Sequence, residues 1–249
     1  AARLLGKPCG RYLTLSLEAL SRREEEAFPR SVRVLAALIE TLLPRLDSAA
    51  PVLIAGLGSR SITPDAVGPR SADHVIATRH LISRSPEFFA SWRPVSVLAP
   101  GVLGQTGVET GEIVRGVLDH VRPRAVIAID ALAAGRLSRL VRTVQLADTG
   151  IVPGSGVNNA RAALDRQTLG VPVLSIGVPT VADGGSLAHE IAQQLDGAQC
   201  EALDDLSQPF IITTRDIDRE VADTARLIGY AVNMALQHIS VEEIDLYLS

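Results

Sequence analysis

Three aspartates stand where an apolar run gives way to a loop. Asp65 lies in Ile-Thr-Pro-Asp-Ala-Val-Gly-Pro at 62–69, Asp130 directly follows the apolar residues 125–129, and Asp148 follows Leu146 and Ala147. Two carboxylates at close range cannot both ionise freely, so one pKa rises and the other falls. Such a pair supplies a base that takes a proton from water and an acid that polarises a carbonyl or protonates a leaving amine, which is the chemistry of an aspartic peptidase. On spacing alone Asp65 fits better as a helix N-cap or turn residue. Asp130 abuts a dry sheet, which a capping role does not explain. Asp148, with Thr149 and Gly150 after it, fits an Asx-turn leading into the glycine-rich loop 153–159.

Other residue types offer weaker chemistry. The Gly154-Ser155-Gly156 loop could turn backbone N–H groups toward a substrate carbonyl, but Ser155 lacks the G-x-S-x-G pattern of a nucleophile elbow. Gly56-Leu57-Gly58 resembles the start of a dinucleotide fingerprint, yet the third glycine is missing and Pro64 and Pro69 disturb the required turn. His80 could join Asp65 and Asp130 as a zinc or hard-metal ligand. No HExxH or close ligand pair supports this, and His80 reads as a helix-terminal histidine near a C-terminal dipole. No cofactor and no metal are predicted.

The elements that must position these residues follow from periodicity. Residues 32–46 carry helical spacing up to the break at Pro51, and residues 52–58 form an apolar run closed by glycines, as a buried parallel strand does. Helical spacing returns over 68–82, 106–121, 187–195 and 214–238, and strands are expected at 95–99, 125–129, 143–146 and 171–177. The N-terminal residues read as a basic, helix-prone arm. Alternating strands and helices predict an α/β fold with a central, mostly parallel sheet covered by helices on both faces. In such sheets ligands bind beyond the carboxyl ends of the strands, where Asp65 and Asp130 could meet. No linker divides the chain, so residues 1–249 read as a single domain, with 1–12 a flexible arm or propeptide remnant and 199–208 a surface insertion.

Composition excludes several classes. The 249 residues are 47% hydrophobic and 3% aromatic, so the core must be aliphatic and base-stacking platforms are scarce. The net charge of -4 gives no attraction for phosphate backbones, and direct nucleic-acid binding is not expected. Cys9 and Cys200 form neither a metal-type pair nor a disulfide framework, which fits a reducing compartment. The absence of a bilayer-length apolar run and of a secretory pattern predicts a soluble, intracellular protein without a membrane partner.

Taken in order, "GLGSRSITPDAVGP", "ATRHL", "APGVLGQTGVETGEI", "AIDALAA", "ADTGIVPGSGVNNAR" and "LGVPVLSIGVPTVAD" closely resemble the germination protease family of spore-forming bacteria. "GKPCGRYLTLSLEAL" and "TTRDIDREVADTARLIGYAVNMALQ" resemble its opening strand and closing helix, so the likeness covers nearly the whole chain. The resemblance implies a phosphorylase/hydrolase-like fold similar to the hydrogenase maturation peptidases. It also implies an endopeptidase of the spore core that degrades small acid-soluble spore proteins during germination. It implies an atypical aspartic mechanism with Asp65 and Asp130 as the functional pair, an inactive precursor that removes its own propeptide, and a homotetramer. Asp148, His80 and the 154–156 loop would then support or bind substrate. Two alternatives stand beside it: a metal-dependent maturation-type peptidase with Asp65, Asp130 and His80 as ligands, and a non-catalytic protein that docks partners on the 154–156 loop.

Overall fold

The computed structural model describes residues 7–154, 161–185, 187 and 210–249. Among the described residues seven strands form one sheet: β1 (Tyr12–Ser16), β2 (Val52–Gly56), β3 (Val95–Leu98), β4 (Ala125–Ala133), β5 (Thr143–Ala147), β6 (Val173–Asp183) and β7 (Ile211–Ile212). The order is β1-β5-β6-β4-β2-β3, with β7 pairing β6. Strands β6, β4, β2 and β3 run parallel. β5, β1 and β7 join antiparallel. The sheet is therefore mixed, where a mostly parallel one was expected. The link from β4 to β5 holds only a 3-10 turn at Leu137–Arg139, too little chain for the crossover that a parallel return needs.

Side chains alternate between two cores, as the pleat requires. Ile54, Ile127, Ile129, Leu174 and Ile176 pack with α1 (Ala27–Leu42), α2 (Val67–Asp73) and α4 (Ile217–Gln237) on one face. Leu53, Ala55, Val126 and Ala128 pack with α3 (Thr110–Val121) on the other. The expected covering of both faces is present.

Several boundaries differ from expectation for physical reasons. α1 begins at Ala27, before the expected start at 32, because Pro29 falls in its first turn, where no N–H is needed. Among the described residues the N-terminal segment contributes a strand: Tyr-Leu-Thr-Leu-Ser alternates with period two and pairs with β5. Arg11, at its entry, donates from Nη1 to the Thr41 carbonyl at 2.9 Å and from Nη2 to the Leu42 carbonyl at 3.3 Å. The helix expected over 68–82 stops at Asp73 and resumes at Arg79–Arg84. There the Asn233 side chain of α4 takes over the backbone pairing: Ile76 N–H donates to it at 2.9 Å, and it donates to the His74 carbonyl at 2.8 Å. The expected helix at 187–195 and insertion at 199–208 lie outside the described residues, apart from residue 187.

Asn233 is 2% exposed. Asn233→Ala leaves the buried Ile76 N–H and the part-buried His74 carbonyl without their partner, and about 2–4 kcal/mol of stability should be lost. Urea unfolding should show this as a lower midpoint with an unchanged slope.

Candidate active site

β2 lies between β3 on one side and β4 on the other. The chain leaves β2 toward β3 and later returns to β2's opposite side as β4, so a topological switch point opens at their carboxyl ends. Asp65 and Asp130 converge there.

Asp65 closes a 3-10 turn, Thr63–Asp65, with Pro64 fixing the backbone at its start. It does not cap α2, whose N-cap is Ala66 with no side-chain cap bond. Its Oδ2 instead accepts the backbone N–H of Ser59, upstream, at 2.6 Å. Two glycines make this possible. Gly58 has φ +104°, and a methyl group there would lie 2.1 Å from the Asp65 carbonyl oxygen. Gly68 lets α2 sit on the strand ends: a methyl group there would lie 2.2 Å from Leu57 O and 2.5 Å from Ile129 O. The Ser59 loop is braced from outside, where Gln105 Nε2 lies 3.0 Å from Ser59 Oγ and 3.2 Å from Ser61 Oγ.

Asp130 is 5% exposed and lies within β4, opposite Gly177 of β6. The strand was expected to end just before it, but β4 runs on to Ala133. Burial, reinforced by the charge of nearby Asp65, pushes its pKa up to about 8, against the opposing pull of the Ala131 N–H, which donates to Oδ1 at 2.9 Å. Burial also raises the pKa of Asp65, and the Ser59 N–H opposes that rise. At neutral pH the proton therefore resides on Asp130, whose rise is the larger of the two. The two carboxylates therefore differ in proton affinity.

Asp148 and His80 are not gathered here. β5 runs antiparallel to β6, so Asp148, just past the end of β5, sits at the opposite end of the sheet from Asp130. Its carboxylate accepts Arg11 N and Nε, each at 2.8 Å. Burial would raise its pKa, but the Arg11 hydrogen bonds prevail and hold it below the ordinary range. It fastens β1 to β5. His80 is exposed in the first turn of Arg79–Arg84, at the N-terminal end of that helix rather than the expected C-terminal one. Among the described residues no three His, Cys, Asp or Glu side chains group closely enough to hold a metal ion, so His80 does not complete a ligand set with the pair. Gly154 has φ +71° in a turn where Arg161 N–H donates to the Pro153 carbonyl at 3.0 Å; Ser155 and Gly156 lie outside the described residues. Cys9 is exposed and free. No helix of the described residues is long and apolar enough to cross a membrane.

Sequence reasoning missed Ser59, Gln105 and Gly68. For Ser59 the signal available was the density of Gly and Ser in "GLGSRS", where backbone amides can approach a carboxylate closely; Gln105 and Gly68 carried none.

A sequence model of the germination protease family matches residues 1–197. The germination protease of Caldanaerobacter subterraneus subsp. tengcongensis is 40% identical over 260 residues, covering 94% of this chain and 80% of that protein. The chain belongs to the germination protease family. The Clostridium perfringens germination protease is 34% identical over 276 residues, covering 100% of this chain and 85% of its own length. The Bacillus subtilis protein is 46% identical over 192 residues, covering 76% of this chain and 52% of its own. Among solved structures, the NiFe hydrogenase maturation protease HycI from Thermococcus kodakarensis KOD1 aligns with 79% of this chain and 99% of its own, at 16% identity and a TM-score of 0.43. Germination protease membership makes this chain a peptidase with a role in spore germination.

Proposed function

We propose that this germination protease is an aspartic-type endopeptidase that opens the degradation of small acid-soluble spore proteins, with Asp65 as base and Asp130 as acid. The unequal proton affinity of the two carboxylates carries the reading. Asp65 takes a proton from water as the water oxygen bonds to the peptide carbonyl carbon, while Asp130 gives its proton to the carbonyl oxygen. The proton held on Asp65 then passes to the leaving nitrogen as the C–N bond breaks. Asp130 recovers its proton from the collapsing diol, which becomes the new carboxyl group.

The resemblance in "TPDAVGP" and "AIDALAA" supports the same assignment. It also supports synthesis as a precursor that sheds an N-terminal propeptide, and a homotetramer working in the spore core.

The test is incubation of the purified chain with a small acid-soluble spore protein, with and without exhaustive chelation, products being mapped by mass spectrometry. Internal cleavage indifferent to chelator is expected. Cleavage abolished by chelator and restored by a divalent ion would replace the aspartic mechanism with a metal-dependent one, and binding without turnover would replace it with a docking role.

A further inference from the structure

β4 outruns its neighbour. The last β2 pairing is Gly56 with Ile129, and Leu57 N–H reaches the Ile129 carbonyl at 2.8 Å before the chain turns away at Gly58. On its other side β4 stays paired with β6 through Asp130↔Gly177, Ala131↔Val178, Leu132↔Pro179 and Ala133↔Val181. Backbone groups alternate along the strand. Val126 N–H and Ala134 N–H donate toward β6, to Pro172 O at 2.9 Å and Val181 O at 2.7 Å, whereas the Ile129 carbonyl faces β2. By that alternation Ala131 and Ala133 turn their N–H and C=O groups to the side β2 has vacated. Ala131 N–H is taken by Asp130 Oδ1. The Ala131 carbonyl and both backbone groups of Ala133 have no strand partner among the described residues, and Ala131, Leu132 and Ala133 are half-buried rather than covered.

We infer that this free edge, residues 130–133 of β4, binds the substrate polypeptide as an added, extended strand. An edge of this kind offers a carbonyl and an amide at two-residue spacing, which only an extended backbone matches, and it recognises main chain rather than particular side chains. It begins at Asp130, so a strand laid along it passes directly over the carboxylate pair. The inference rests on the peptidase reading for what the bound strand undergoes, but the pairing can be measured without turnover.

The test has two arms. Labelled peptides tiling a small acid-soluble spore protein are first ranked by fluorescence anisotropy against the folded Asp130→Asn protein, and the tightest binder is then N-methylated one residue at a time. Loss of roughly five- to tenfold in Kd at alternate residues, with little change at those between, is expected for strand pairing. In the second arm Ala133→Pro removes one outward N–H at a position where an edge strand tolerates proline. KM for the wild-type substrate should rise by a similar factor while kcat and the thermal midpoint hold. N-methyl effects without alternation would overturn the inference, as would a folded Ala133→Pro protein with unchanged KM or with only its oligomeric state altered. Alternating losses in a peptide that wild type binds but does not cleave would keep the edge and remove the peptidase reading.

Discussion

Asp130→Asn is expected to lower kcat for cleavage by about 10²–10⁴-fold, the range for losing one positioned acid–base group, while making the protein more stable at alkaline pH. Asn keeps the shape and can still accept the Ala131 N–H that now reaches Oδ1, but it has no acidic proton to give. The stability effect has a definite sign. In the folded protein Asp130 titrates near 8, far above an unfolded aspartate. Between those two values the folded state holds a proton that the unfolded state releases, so wild-type stability falls as pH rises from about 4 to 8. Asn removes that dependence. The variant's advantage should be absent near pH 4, grow through this window and level off above it at several kcal/mol as an upper bound. Denaturant unfolding across pH checks it; a variant that is destabilised throughout would mean that Asp130 is ionised in the fold.

Gly68→Ala should prevent folding, with roughly 4 kcal/mol or more lost. Its methyl group would meet Leu57 O at 2.2 Å, Leu57 N at 2.4 Å and Ile129 O at 2.5 Å, all backbone atoms of the central sheet. None can swing aside as a side chain does, so α2 would have to lift from β2 and β4 and take Asp65 with it. Gly116→Ala is the control. It lies in α3 with nothing within 4 Å of an added methyl group, and it should stabilise by about 0.5–1 kcal/mol through helix propensity. Soluble yield, circular dichroism and thermal midpoints distinguish the two; a well-folded Gly68→Ala protein would refute the close packing of α2 on the strand ends.

The two expectations differ in how visible their causes are in the sequence. Asp130 could be singled out because residues 125–129 are continuously apolar, and a carboxylate directly after such a run has little water. The cores of β2 and β4 were legible for the same reason, and β3 and β6 from apolar stretches interrupted by Ser96 and Ser175. Where β4 and β6 end was not. Asp130, Gly177 and Pro179 look like strand breakers, yet β4 and β6 pair through all three positions. Asp65 misled in the opposite direction. Its spacing suits a helix cap, and only the folded chain shows its oxygen taking the Ser59 amide instead. Asp148 misled through direction: it follows a strand, but that strand runs antiparallel and delivers it to the far end of the sheet. Pairing partners, strand direction and the break imposed by Asn233 between α2 and Arg79–Arg84 depend on residues distant in the chain, which local periodicity does not encode.

The central claim is that Asp65 works ionised and Asp130 works protonated, and the pH dependence of kcat/KM for spore-protein cleavage by wild type tests it most directly. The account predicts a bell: activity lost toward acid as Asp65 protonates at a pKa above the ordinary carboxylate range, and lost toward alkali as Asp130 gives up its proton near 8. Activity that stays level or climbs well past pH 9, with the protein still folded, would contradict it, because no proton would then remain on Asp130 to give to the substrate.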